Sequence, residues 1–308
     1  MLLFPALAAA LLLQAGSTTS VAPPVALPVP APAPVAARTP AGVVAAAPAS
    51  AWIAVRDDRL LVMELAGGGR VLIALSPDFA GPHVANIVAL ARAHWWDGTS
   101  INRVQDNYVT QWGDATEAKP LPPGITAPAG DYDRPAAGLR FRALPYRDAY
   151  AAAVGHVGGW PVARDGARAW LPHCYGMVGV GRNMAPDTGT GAELYTNIGT
   201  APRHLDRNVA IVGRVLMGME ALSALPRGTG DLGFYTDPAQ RTGILRVRLA
   251  SDLPAAERPH WELMDSDSAT FTDWIRVRAN RQDDFFRHPA GALDICNALP
   301  PARMRPGG

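Results

Sequence analysis

Residues 70–104, RVLIALSPDFAGPHVANIVALARAHWWDGTSINRV, decide the architecture, because the apolar period changes twice within them. RVLIAL (70–75) is a short aliphatic run with β-branched members, the texture of a strand. Ser76-Pro77 breaks it. From Gly81 to Trp95 the spacing becomes helical: Val84, Ile87, Val88 and Ala91 fall on one face, and Pro82 suits a first turn. Asp97-Gly98 predicts a turn, and residues 100–104 a second strand.

Upstream, LLVMEL (60–65) is joined to this stretch through Gly67-Gly68-Gly69, which predicts a β-hairpin. Downstream, strands are predicted at 108–112, 176–180, 194–198, 208–215 and 243–249, with a short helix at 218–225. Many short strands interrupted by only two helices predict an all-β barrel or sandwich. Residues 115–173 are rich in proline, glycine and alanine and read as a long loop insertion with little regular structure. Such a length inside a compact domain points to a functional loop. Residues 271–286 read as a charged amphipathic helix in a C-terminal extension, 251–308, outside the barrel domain of 51–250.

The 308 residues carry 28 basic and 27 acidic side chains, a net charge of +1, and Lys119 is the only lysine. Balanced charge with no basic concentration argues against a nucleic-acid partner. Residues 2–13 are an apolar run of signal-peptide length, too short to span a bilayer comfortably. They predict that residues 1–20 are a cleaved export signal, leaving a periplasmic or secreted protein with no stable membrane span; a retained anchor is the alternative. Residues 21–50 are an Ala/Pro-rich linker in which proline removes amide donors and favours extended chain. Cys174 and Cys296 stand in no metal-ligand spacing. In an exported protein they either form a disulfide tying the tail to the body or remain buried thiols. A monomer is expected.

Familiar catalytic signatures are missing: no G-x-S-x-G elbow, no H-E-x-x-H and no Walker A loop. GMVGVG (176–181) lacks a βαβ setting, and Asp187-Thr188-Gly189 occurs once, in a turn-like context. No metal or cofactor is implied.

The order of segments carries more than any one of them. WDGTSINRV (96–104), YVTQWGD (108–114), GMVGVGR (176–182), GAELYTNIG (191–199) and LDRNVAIVGRV (205–215) follow one another as the signature segments of the cyclophilins do. The chain resembles that family over roughly residues 59–250. The resemblance implies an eight-stranded antiparallel closed β-barrel with two capping helices, in agreement with the strand and helix pattern. It implies peptidyl-prolyl cis-trans isomerase activity on proline-containing polypeptides, without metal or cofactor, assisting the folding of exported proteins.

Carried over by position, Arg103 matches the catalytic arginine and Gln111 the glutamine that orients it and binds substrate backbone. Tyr108, Val109, Tyr195 and Leu205 match the walls of the proline pocket. On the strand 108–112, Tyr108 and Val109 are not expected to face the same side. His204 stands where some members have tryptophan, Arg182 at the backbone-binding asparagine, and Asn102 and Val209 where histidines are found. Ala192 replaces a serine. Two departures bear on activity. Trp112 replaces a glycine, and its bulk could narrow or re-aim the groove wall; Glu193 replaces a glutamine, and a carboxylate there could pair with Arg103. A proline-peptide binding module with weakened catalysis, and a scaffold using residues 115–173 and 251–308, are the rival readings.

Overall fold

The computed structural model describes residues 38–130 and 132–306. The predicted signal and most of the linker lie outside them. Eight antiparallel strands close a barrel: β1 (Leu60–Leu65), β2 (Arg70–Leu75), β3 (Ser100–Val104), β4 (Val109–Gly113), β5 (Met177–Val180), β6 (Leu194–Asn197), β7 (Ile211–Met217) and β8 (Thr242–Leu249). Their order around the barrel is β5-β6-β4-β3-β8-β1-β2-β7, with β7 returning to β5. Gly67 and Gly68, at φ 88° and 92°, make the β1–β2 turn in a region open mainly to glycine.

Helix α1 (Pro77–Arg92) covers one end of the barrel and α2 (Met219–Ser223) the other, where Thr110 Oγ1 donates to Leu222 O at 3.0 Å. α1 begins four residues earlier than the periodicity predicts, with a break at Ala80 (φ −137°, ψ 47°). Pro82 cannot bond back to the Asp78 carbonyl; Arg134 Nη1 takes that place, donating to Asp78 O at 2.6 Å. Val84, Ile87 and Ala91 enter the barrel core with Leu61, Met63, Ile73, Ile101, Trp112, Leu194 and Val212. β1 reads as an unbroken apolar run because both its faces are covered. Leu61, Met63 and Leu65 point inward, while Leu60 and Val62 meet Leu72, Ala250 and Leu253 outside.

Residues 115–173 are not the irregular loop that composition suggests. They hold a five-stranded antiparallel sheet ordered Arg134–Pro135, Arg168–Trp170, Trp160–Asp165, Ala153–Val157, Arg142–Ala143. Alternation gives that sheet two apolar faces. Val162, Ala169 and Leu171 pack with Met177 and Ile211 of the barrel. Leu144, Val154, Ala163 and Trp170 pack with Phe271, Trp274 and Ile275 of helix α3 (Ala269–Ala279).

The extension is likewise part of the body. Trp261–Met264 pairs on one side with Trp52–Ala54 and on the other with Ala302–Met304. α3 is shorter than predicted; Ser268 caps it by accepting from Phe271 N, and it ends at Asn280. The proline-rich stretch also gains structure sooner than expected, since Pro40–Ala45 is a helical turn whose Val43 is buried in the same core.

Cys174 and Cys296 form a disulfide, Cα atoms 4.9 Å apart, across 122 positions of chain. Beside it, Arg214 Nη2 donates to Pro300 O and His156 Nε2 lies 2.8 Å from Ala298 O, so residues 296–300 are held by both covalent and polar ties. Unreduced, denatured protein should therefore show no alkylatable thiol by mass spectrometry. Replacing both cysteines by alanine should cost roughly 2–4 kcal/mol in denaturant unfolding. Two reactive thiols without reductant would refute the pairing.

Candidate active site

β4 runs between β3 and β6, and its register assembles the site. Arg103 of β3 pairs with Gln111, which pairs on its other side with Tyr195 of β6. Paired residues on neighbouring strands project from the same face. Gln111 and Tyr195 therefore share the outer face, while the next pair, Trp112 and Leu194, turns into the core. This corrects the expectation for Trp112. It is 1% exposed inside the barrel and does not narrow the groove.

Arg103 is held on three sides. Its Nε donates to Leu232 O at 2.6 Å, Nη1 to Gln111 Oε1 at 3.2 Å and Nη2 to Gln105 Oε1. The guanidinium lies 5.6 Å from the Tyr108 ring centre and 5.4 Å from that of Phe234. Burial lowers its pKa, yet an arginine stays charged. Five N–H donors minus these three leave two for a bound chain.

Tyr108 precedes β4 and belongs to the turn closed by Tyr108 N donating to Gln105 O. It therefore escapes strand alternation, and its ring stacks on exposed His204 at 6.5 Å and 9° while Val109 stays buried. His204 and half-buried Leu205 share the short turn Arg203–Leu205.

Glu193 does not pair with Arg103. Its carboxyl group occupies the space above Gly113, where a Cβ would lie 1.8 Å from Oε1. There it accepts from the Asp114 backbone N–H and meets the Gln111 side chain. Burial outweighs these bonds and pushes its pKa up to about 8, so at neutral pH Glu193 is an uncharged acid, close in shape and charge to the glutamine it replaces. A cleft of about 310 Å³ opens here, lined by Gln111, Glu193, Gly181, Arg182, Trp95 and Lys119 among others. Arg182 is turned away from Arg103: its Nε and Nη2 donate to Asn208 O and its Nη1 to Asn183 O.

Asp114 explains why the YVTQWGD segment ends in an acid: its Oδ2 accepts from Ala118 N, Lys119 N and Thr116 Oγ1, fixing the exit from β4. Asn102 is buried and donates to Gly113 O. Sequence reasoning missed Phe234 and Leu232, whose loop has no period to read, and His173, whose partners are distant in sequence. Among the described residues, no group of three His, Cys, Asp or Glu side chains is placed to hold a metal ion.

The model of the family described as cyclophilin type peptidyl-prolyl cis-trans isomerase/CLD matches residues 60–249. No curated protein matches the chain in sequence. Among solved structures, the cyclophilin AquaCyp293 from Hirschia baltica aligns with TM-score 0.68 at 21% identity, covering 86% of this chain and 97% of that one. The similarity thus reaches beyond the barrel. A Cryptosporidium parvum cyclophilin type peptidyl-prolyl cis-trans isomerase, solved in the presence of the dipeptide Ala-Pro, aligns with TM-score 0.40 at 12% identity, covering 62% of this chain and 98% of that one.

The raised pKa of Glu193 has a measurable sign. The unfolded chain releases this proton in the ordinary carboxyl range, the folded chain near pH 8. The stability the site contributes is full below the ordinary range and is lost as pH rises towards 8. In calorimetry at pH 5, 6.5, 8 and 9, the wild-type Tm should fall relative to that of Glu193→Gln up to pH 8 and then run parallel. Curves parallel throughout would place the carboxyl group in water.

Proposed function

The chain belongs to the cyclophilin-type peptidyl-prolyl cis-trans isomerases, and on that premise we propose that Arg103 and Gln111 carry the isomerisation, with Tyr108, Val109, Tyr195, Leu205 and His204 forming the proline site. The supporting observation is the pinned Arg103: its geometry is set by Leu232, Gln105 and Gln111 before any substrate arrives.

The reaction needs little else. Rotation about an X–Pro bond faces a barrier of roughly 18–20 kcal/mol, because the nitrogen lone pair is delocalised into the carbonyl. Twisting localises that pair, and the nitrogen becomes a hydrogen-bond acceptor. A fixed cationic donor then binds the twisted state more strongly than the planar one, and only such differential binding lowers the barrier. Because Arg103 is already oriented, no reorganisation is spent at the moment of twisting. Gln111 sets the guanidinium plane and offers its amide N–H to the substrate backbone. With Trp112 in the core and Glu193 uncharged and off Arg103, the departures that favoured a weakened binding module lose their force. The scaffold reading gains nothing either, since residues 115–173 and 251–308 spend their apolar surface on each other and on the barrel.

The substrates are X–Pro bonds of exported polypeptides. The apolar run at 2–13 and the disulfide support an exported location, periplasmic or secreted.

In a protease-coupled peptide assay, Arg103→Ala should lower kcat/KM by about 10²–10³, the scale of a lost transition-state donor, with an unchanged melting curve. A mutant as fast as wild type would remove Arg103 from the mechanism. Expressed with its leader in a bacterium, the protein should be recovered outside the cytoplasm without residues 1–20. Intact, cytoplasmic protein would refute export.

A further inference from the structure

The proline-site wall rests on the insertion through a set of buried hydrogen bonds. His173, 0% exposed, follows the last insertion strand. Asp206 Oδ1 accepts from His173 N at 2.9 Å and lies 3.0 Å from its Nδ1, while Nε2 lies 3.0 Å from the Tyr195 hydroxyl. Asp206 is held below the usual carboxyl range: burial opposes ionisation, but the His173 bonds and the Arg203 charge outweigh it. Burial lowers the His173 pKa and keeps the ring neutral, and an ionised carboxylate only accepts, so the single imidazole proton sits on Nδ1. Nε2 is then bare, and the Tyr195 hydroxyl donates to it.

The second oxygen of Asp206 accepts from Trp170 Nε1 at 3.2 Å and Arg203 Nε at 2.6 Å. Arg203 spends both terminal nitrogens on Asp148, at 2.9 and 3.0 Å. Three of these groups, Asp148, Trp170 and His173, come from residues 115–173; Arg203 and Asp206 flank His204 and Leu205, and Tyr195 lies on β6. The Tyr195 ring also stacks on the His173 ring at 6.4 Å and 15°, and its hydroxyl end lies close over Gly179, where a Cβ would stand 2.4 Å from Cζ. The hydroxyl bond adds a directional tie from the buried ring to His173 and, through it, to Asp206.

We infer that His173 is a positioning residue of the isomerase site: by holding the Tyr195 hydroxyl and Asp206 together, it locks the pocket aromatic to the Arg203–Leu205 turn, and the insertion thereby sets the shape of the proline pocket. This rests on reading Tyr195 and Leu205 as pocket walls. The pocket grips the proline ring in planar and twisted states alike, so loosening it weakens both equally and leaves the chemical step alone.

Two variants of the full chain test this. Tyr195→Phe removes one oxygen; His173→Asn keeps a donor for Asp206 and loses the Tyr195 bond. Each should raise KM for an X–Pro peptide about tenfold, the scale of one lost buried hydrogen bond, with kcat nearly unchanged. The peptide Kd from NMR titration should rise in step. The double variant should add nothing further, because both changes delete the same bond. KM and Kd equal to wild type in either folded variant would overturn the inference. So would a fall in kcat at constant KM, the pattern of lost active molecules. Absence of wild-type turnover would refute the isomerase reading alone, and the Kd series would still decide the role of His173.

Discussion

The structure depends on the pairing of β4 with its two neighbours. A strand in a closed barrel has one face in the core and one outside, and a slip of a single residue exchanges them. Trp112 and Leu194 lock this register, since both are large, apolar and paired across β4 and β6. With them inside, Gln111 and Tyr195 must lie outside, next to Arg103. The bulky tryptophan that looks like an obstruction in the sequence is therefore what keeps the groove face in place. A glycine at 112 would leave that face specified by less buried surface.

The barrel was legible because its signals are local. β1 and β2 have the predicted bounds, and α1 shows the predicted apolar face. Where local signals weaken, the reading fails in definite ways. Insertion strands such as Arg142–Ala143 and Arg168–Trp170 have two or three residues, too few for a period. Their place is set by what they pack on: Ala163 and Val162 belong to different cores because of a sheet that sequence does not announce. The site divides along the same line. Arg103, Gln111, Tyr108 and His204 lie in segments whose order is recognisable, and they meet. Arg182, placed by the same ordering, is drawn off by the Asn208 carbonyl. Phe234 and His173 are contributed by loops, where the sequence carries no directional information.

Around the groove, Arg103 and Glu193 both have polar partners before substrate binds. Arg103 is capped by neutral acceptors rather than a carboxylate, which leaves its charge uncompensated at close range. Had Glu193 been ionised and in contact with it, the pair would have neutralised that field. Burial above Gly113 avoids this by keeping Glu193 protonated. Behind the pocket the opposite arrangement holds, with Arg203 sealed between Asp148 and Asp206. Paired charges of this kind add little net stability, but removing one partner is costly because the other stays buried. Such a cluster fixes geometry more than it deepens the fold's free-energy minimum.

That distinction bears on why the barrel carries a second layer. The insertion sheet has the barrel on one face and α3 on the other, so neither sheet nor extension has a free apolar surface to fold around alone. Cys174 joins the two chemically, and the residue before it is His173, whose ring reaches Tyr195. The disulfide, the packed extension and the Tyr195 ring are thus connected through adjacent residues. A flexible loop over the 59 residues 115–173 would have given the Tyr195 hydroxyl no fixed partner. Folded as a sheet and tied at Cys174, the same residues become a fixed support, and the entropy of ordering them is offset by burial far from the groove. The layer that composition presents as filler is thus a packed sheet whose final residues reach Tyr195.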